Sequence, residues 1–185
     1  MIWDSAPWKD GLLKDADILQ RWAMQSSRPS QQGVIFEKKI FLSAYAMRKL
    51  LEARKICTAL HRKPIVFSVY ERKESFITPL NWDKIEIHYE LDFPKQSSRT
   101  IWWLFDQIIH SHIFLLDIDN QNYIDGFFIS SDKEKEKSLN KIDLTSFLEI
   151  MREIGTDYPS NGRHWVDENG KWQQIDTCPK HPFNK

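Results

Sequence analysis

The chain is poor in cysteine and glycine, carries no excess charge of either sign, and has no apolar run long enough to cross a bilayer. Two cysteines in 185 residues, Cys57 and Cys178, cannot frame a disulfide-built mini-domain, and both read as free thiols. With only 6 Gly there is no glycine-rich phosphate loop, and G-x-S-x-G, H-E-x-x-H and paired C-x-x-C are missing as well. Lys plus Arg and Asp plus Glu stand at 26 each, so no global field gathers a phosphate backbone or imitates one. That balance still leaves nucleic acid open as a partner. No stretch approaches the roughly 18 uncharged apolar residues of a membrane span. Met1 to Ser5 has neither the basic start nor the apolar core of a secretory signal. The expectation is a cytoplasmic protein with no membrane partner, and no motif asks for a cofactor.

What is present is a globular composition, 41% hydrophobic and 28% charged, in a chain long enough to bury a core without a disulfide or metal staple. Aromatic residues reach 13%, with 8 Trp, which points to large flat side chains in the core or on a contact surface.

Periodicity places the elements. Asp15 is a candidate cap for a helix carrying Ile18, Leu19, Trp22 and Ala23, so residues 1–30 read as a helical arm. Val34 to Ile56 gives the strongest helical pattern, with Ile40, Ala44, Met47 and Leu51 on one stripe, and is expected to be the central helix. After Pro64 the period falls to two, predicting strands over Ile65 to Tyr70 and Ile85 to Leu91. Ser97 or Ser98 would cap a Trp-rich second helix from Arg99 to His112, and Phe114 to Ile118 with Tyr123 to Ser130 reads as a hairpin around Asp119-Asn120-Gln121-Asn122. Asp132 to Lys141, alternating Lys and Glu, reads as a solvated turn or short helix. Asp143 opens an amphipathic helix closed by Gly155, a last hairpin flanks Asn169-Gly170, and Pro179 to Lys185 is an irregular tail. No repeat or long linker divides the chain. These patterns predict a single α+β domain over residues 1–185, with a partly antiparallel sheet packed against a long central helix and a Trp-rich second helix.

Three groups carry candidate chemistry. Asp106 and His110 are four apart on a helix, the spacing at which a carboxylate can orient a general base. Arg48, Lys49, Arg54 and Lys55 are candidates for holding phosphate, with Tyr45 and Tyr70 as stacking partners. His88, Glu90 and His112 are the candidates for a metal, whose convergence across elements the sequence does not show. Arg54 and His61 also stand at the spacing used by HEPN-type ribonucleases, but the strands depart from that all-helical fold and eight residues do not make a family.

No catalytic group stands out against ordinary surface or capping roles. The expected function is therefore binding of another protein through an aromatic-rich surface, with self-association as a further expectation. The alternative is a small hydrolase or nuclease using His110 and Asp106, with the basic group holding phosphate.

Overall fold

The computed structural model describes residues 2–27, 29 and 31–182; Met1, Arg28 and Ser30 of the expected arm and residues 183–185 of the expected tail lie outside them. The elements run α1 (Ala6–Ala23), α2 (Gln32–Glu52), α3 (Thr58–His61), β1 (Pro64–Glu71), α4 (Ile85–His88), β2 (Lys95–Thr100) and α5 (Ile101–Ile109). They continue with β3 (Ser111–Ile118), β4 (Ile124–Ser131), β5 (Ser138–Asp143), α6 (Leu144–Thr156), β6 (Asn161–Val166) and β7 (Trp172–Thr177).

Five strands form one sheet in the order β2-β1-β5-β4-β3, with every neighbouring pair antiparallel. The fold is α+β. Alternation decides which side chains meet the helices: Ile65, Phe67, Phe127, Ile129 and Ile142 point to one face, where they join Leu19, Phe36, Ile40, Met47, Phe105 and Phe147 in the main core. Each such fully buried side chain contributes about 1.5–3 kcal/mol. Trp103 of α5 stacks on Phe67 of β1 at 4.5 Å between ring centroids, which docks the Trp-rich helix on the sheet. Tyr70, Ile113 and Leu139 face the other way and are covered by Ile85 and Tyr89 from the segment between β1 and β2. The hairpin β6–β7 is a separate two-stranded sheet whose first strand is exposed throughout.

Several boundaries differ from the sequence expectation, each for a physical reason. Asp15 lies inside α1, which begins after Ser5 with Pro7 in its first turn, and pairs with Lys39 of α2. Leu12, Ala16 and Leu19 of this helix are at most 2% exposed, packed into the main core. Ile85 to Leu91 is not a strand: Ile85 and Tyr89 are buried at helical spacing while Ile87 is half exposed, so α4 and a turn replace it. The edge strand is instead the polar Lys95–Thr100, whose lack of an apolar pattern suits an edge that must not recruit another strand. Arg99 consequently pairs with Ile65 in the sheet, and α5 starts later, with the Thr100 hydroxyl accepting from the Trp103 amide at 3.5 Å. The stretch expected as a solvated turn contains the start of β5, the central strand, where Asn140 is buried and Lys141 pairs with Asp117 at 2.5 Å. Gly155 lies inside α6 rather than closing it.

Candidate functional site

The C-terminal end of α5, the start of β3 and the end of β4 enclose a cleft of about 700 Å³ lined by Arg48, Trp103, Asp106, His110, Ser131 and Asp132. Asp106 and His110 therefore share a cleft, yet they are not bonded as base and orienter. The Asp106 carboxylate accepts from Arg48, and His110 is the C-terminal cap of α5, its backbone amide donating to the Asp106 carbonyl at 3.0 Å. Arg48 also donates to Glu52 at 2.9 Å and lies 5.1 Å over the ring of Trp102.

The rest of the basic group is similarly engaged. Lys49 pairs with Glu52 at 2.6 Å, Arg54 reaches the Gln174 carbonyl of β7 at 3.4 Å, and Lys55 reaches the Trp3 carbonyl at 3.3 Å. Tyr45 is exposed whereas Tyr70 is buried beneath the sheet. Of the metal candidates, His88 is buried with both ring nitrogens engaged, one with the Ser75 hydroxyl at 2.8 Å and one with the Asn81 carbonyl at 3.0 Å. Glu90 lies 3.6 Å from Lys73, and His112 lies 3.6 Å from Asp132. The three do not gather into one ligand group among the described residues.

A different set does converge. Cys57, Asp157, Cys178 and His181 place one ligand atom each within 4.8 Å of one another. They come from three parts of the chain: Cys57 is the N-terminal cap of α3, Asp157 follows α6, and Cys178 and His181 follow β7. The turn Cys178-Pro179-Lys180-His181 is closed by the His181 amide donating to the Cys178 carbonyl at 3.0 Å, which points the thiol and the imidazole the same way. Asp157 is the hub. One carboxylate oxygen accepts from the Cys57 amide at 2.5 Å, and the other lies 3.0 Å from His181 Nδ1 and 3.4 Å from Cys178 Sγ, itself 3.6 Å from His181 Nδ1.

The electrostatics follow from burial. Burial works to raise the Asp157 pKa, but hydrogen bonds from the Cys57 amide, both thiols and His181 outweigh it and hold the carboxyl below its usual range. Burial pushes the Cys57 thiol well up, and its hydrogen bond to Asp157 adds to this. Lys9, completely buried, donates to the main-chain carbonyls of Asp157 and Lys55, so an ammonium stands beside the cluster. Burial lowers its pKa against the attraction of Asp157. The cysteine-to-histidine spacing at 178 and 181 was visible in the sequence; its meeting with Cys57 and Asp157 is purely tertiary.

Exposed apolar side chains gather on the outer side of the α1–α2 pair. Ile35, Leu42 and Tyr45 are 44%, 54% and 46% exposed and repeat at helical spacing on α2, opposite its buried Phe36, Ile40 and Met47. A groove at one end of the pair is lined by Trp22, Met24 and Ile35, and another at the other end by Ile2, Trp8 and Tyr45. Among the described residues no helix is long and apolar enough to cross a membrane. No protein-family model, curated protein or solved structure matches the chain.

Proposed function

We propose that this chain acts by binding another protein, and that the outer face of the α1–α2 pair is the surface it uses. The stripe Ile35, Leu42 and Tyr45 carries this reading. A surface helix needs one apolar face for its own core and a polar one for water, and α2 already has its core face, so a second apolar stripe fits a second buried contact. Grooves at both ends, bordered by Trp8 and by Met24, suit the anchoring side chains of an amphipathic helix. The occupant would be a helix of a partner protein or of a second copy of this chain. A photo-crosslinking side chain at Leu42, used in cells of the native source, is expected to yield one discrete adduct that Tyr45→Glu abolishes. The same group at exposed Glu168 should yield none. Equal labelling from both positions, or none from Leu42, overturns the proposal.

A hydrolytic reading rests on a separate observation, that Arg48, Asp106 and His110 line one cleft. It requires His110→Ala to remove a phosphodiesterase or other hydrolytic activity while leaving the melting temperature unchanged, and it falls if the purified protein's activity survives that substitution.

A further inference from the structure

We infer that Cys57, Asp157, Cys178 and His181 form a closed tetrahedral site for a zinc-class divalent cation, which staples the C-terminal hairpin to the helical core. The geometry is the first argument. With zinc bonds of about 2.3 Å to sulfur and about 2.0–2.1 Å to nitrogen or oxygen, a tetrahedron has edges of about 3.5 Å from sulfur to nitrogen or oxygen and about 3.3 Å from nitrogen to oxygen. The corresponding separations here are 3.6 Å from Cys178 Sγ to His181 Nδ1, 3.4 Å from Cys178 Sγ to Asp157 Oδ1, and 3.0 Å from His181 Nδ1 to Asp157 Oδ1. These three ligand atoms stand close to coordination separations, and Cys57 Sγ lies within 4.8 Å of each of them.

The donor set is the second argument. Two thiolates with an imidazole favour zinc over magnesium or calcium, which prefer six or more oxygens. Four protein ligands leave no open position, so the site is structural rather than catalytic. Charge is the third. The cation enters as the two thiol protons leave and the His181 ring proton shifts from Nδ1 to Nε2, so two positive charges replace two, and the burial of net charge does not change. Two thiolates, one carboxylate and a divalent cation sum to minus one, which the buried Lys9 ammonium offsets.

Position gives the site its role. All of β6 is exposed, and the hairpin is held by thin polar contacts, such as the Asp176 amide donating to the Thr58 hydroxyl at 2.9 Å. A metal at the end of β7 would bind it to the start of α3 through Cys57 and to the end of α6 through Asp157.

The test uses the full chain, kept reduced and stripped with a chelator, and titrated with Co²⁺. One Co²⁺ per chain is expected, with the intense visible bands of tetrahedral coordination and a near-ultraviolet thiolate-to-cobalt band, all removed by Zn²⁺. Cys178→Ser, which leaves Cys57 as the single thiolate, should cut the thiolate band to about half. The His181→Ala variant, altering a side chain that is only partly buried, should stay folded and bind at least 10-fold more weakly. Hydrogen exchange should show the hairpin amides opening in the stripped protein while β1, β4 and β5 stay protected. Weak octahedral spectra, or binding unchanged in both variants, would each overturn the inference.

Discussion

The ammonium of Lys9 donates to the main-chain carbonyl of Asp157, 148 residues away in sequence, and to that of Lys55 at 2.7 Å. The same group lies 3.9 Å from the ring centre of Tyr158. The first helix is thus tied by a buried cation to the residue that organises the cysteine and histidine cluster. Lys9→Met keeps the aliphatic bulk but strips two carbonyls of their donor and leaves the Asp157 carboxylate without its buried neighbour. We expect a loss of about 2–4 kcal/mol, read from urea unfolding midpoints. A loss below about 0.5 kcal/mol would mean that water replaces the ammonium without penalty.

Gly126 and Gly11 give a matched pair. A methyl group at Gly126 would run into the backbone carbonyl of Ile142 on the neighbouring strand, whereas one at Gly11, inside α1, meets nothing within 4 Å. Gly126→Ala is expected to cost about 3 kcal/mol, because backbone on backbone cannot yield as a side chain would. Gly11→Ala should instead stabilise by about 0.5–1 kcal/mol through helix propensity and a restricted unfolded chain. Thermal unfolding of both variants checks the pair, and equal effects would refute the register of β4 against β5.

His88 holds the segment between β1 and β2 in place. Its ring bridges the Ser75 hydroxyl and the Asn81 carbonyl, while its own carbonyl accepts from Arg72 at 3.0 Å. Phe76 and Leu80, 89% and 90% exposed, lie in the loop it anchors. His88→Ala should therefore expose this loop to chymotrypsin, with early cleavage at Phe76 or Leu80 and little change elsewhere. Uniform cleavage along the chain would show that His88 supports the whole fold instead.

His61 makes stability depend on pH. Burial, aided by the nearby charge of Arg54, holds its pKa below the ordinary 6.5. In the unfolded chain the same imidazole takes up its proton near that ordinary value, so between the two values the unfolded state holds more protons and stability rises with pH. On acidification the loss begins near pH 6.5 and is complete once pH lies below the folded value. His61→Gln should flatten this part of the profile of urea midpoints against pH. An unchanged slope would assign the acid sensitivity to another group.

Much of the fold could be read from periodicity. The stripe of α2, the alternation of β1, the hairpin β3–β4 and the Asn169-Gly170 turn all express local requirements, and the structure carries each of them; Gly170 adopts the positive φ of 72° that such a turn demands. What escaped was set by neighbours. β2 is polar because it is an edge, and β5 looks solvated because Lys141 keeps its charge against Asp117, with its ammonium 5.9 Å from the ring centre of Phe128. The candidate chemistry was less legible. Helical spacing brought Asp106 and His110 to the end of one helix, where His110 is its cap rather than a member, but could not show that Arg48 takes the carboxylate. The Cys57 amide meets the Asp157 carboxylate across 100 residues, a separation over which no local pattern speaks.

The position of β5 also dictates an order of events. β1 pairs with β2 and β3 with β4 through connections that β5 does not enter, so both pairings are available before β5 exists. The strand that joins them, Ser138–Asp143, bonds to β1 on one side and β4 on the other and leaves the ribosome after both. Until it arrives, the apolar flank of β1 has no strand on its inner edge, and the helix α6 that covers the sheet has not been made. Assembly of the sheet is therefore a late, long-range closure, slow relative to helix formation. The nascent chain spends that interval with an open β edge, the stage at which a chaperone would find it.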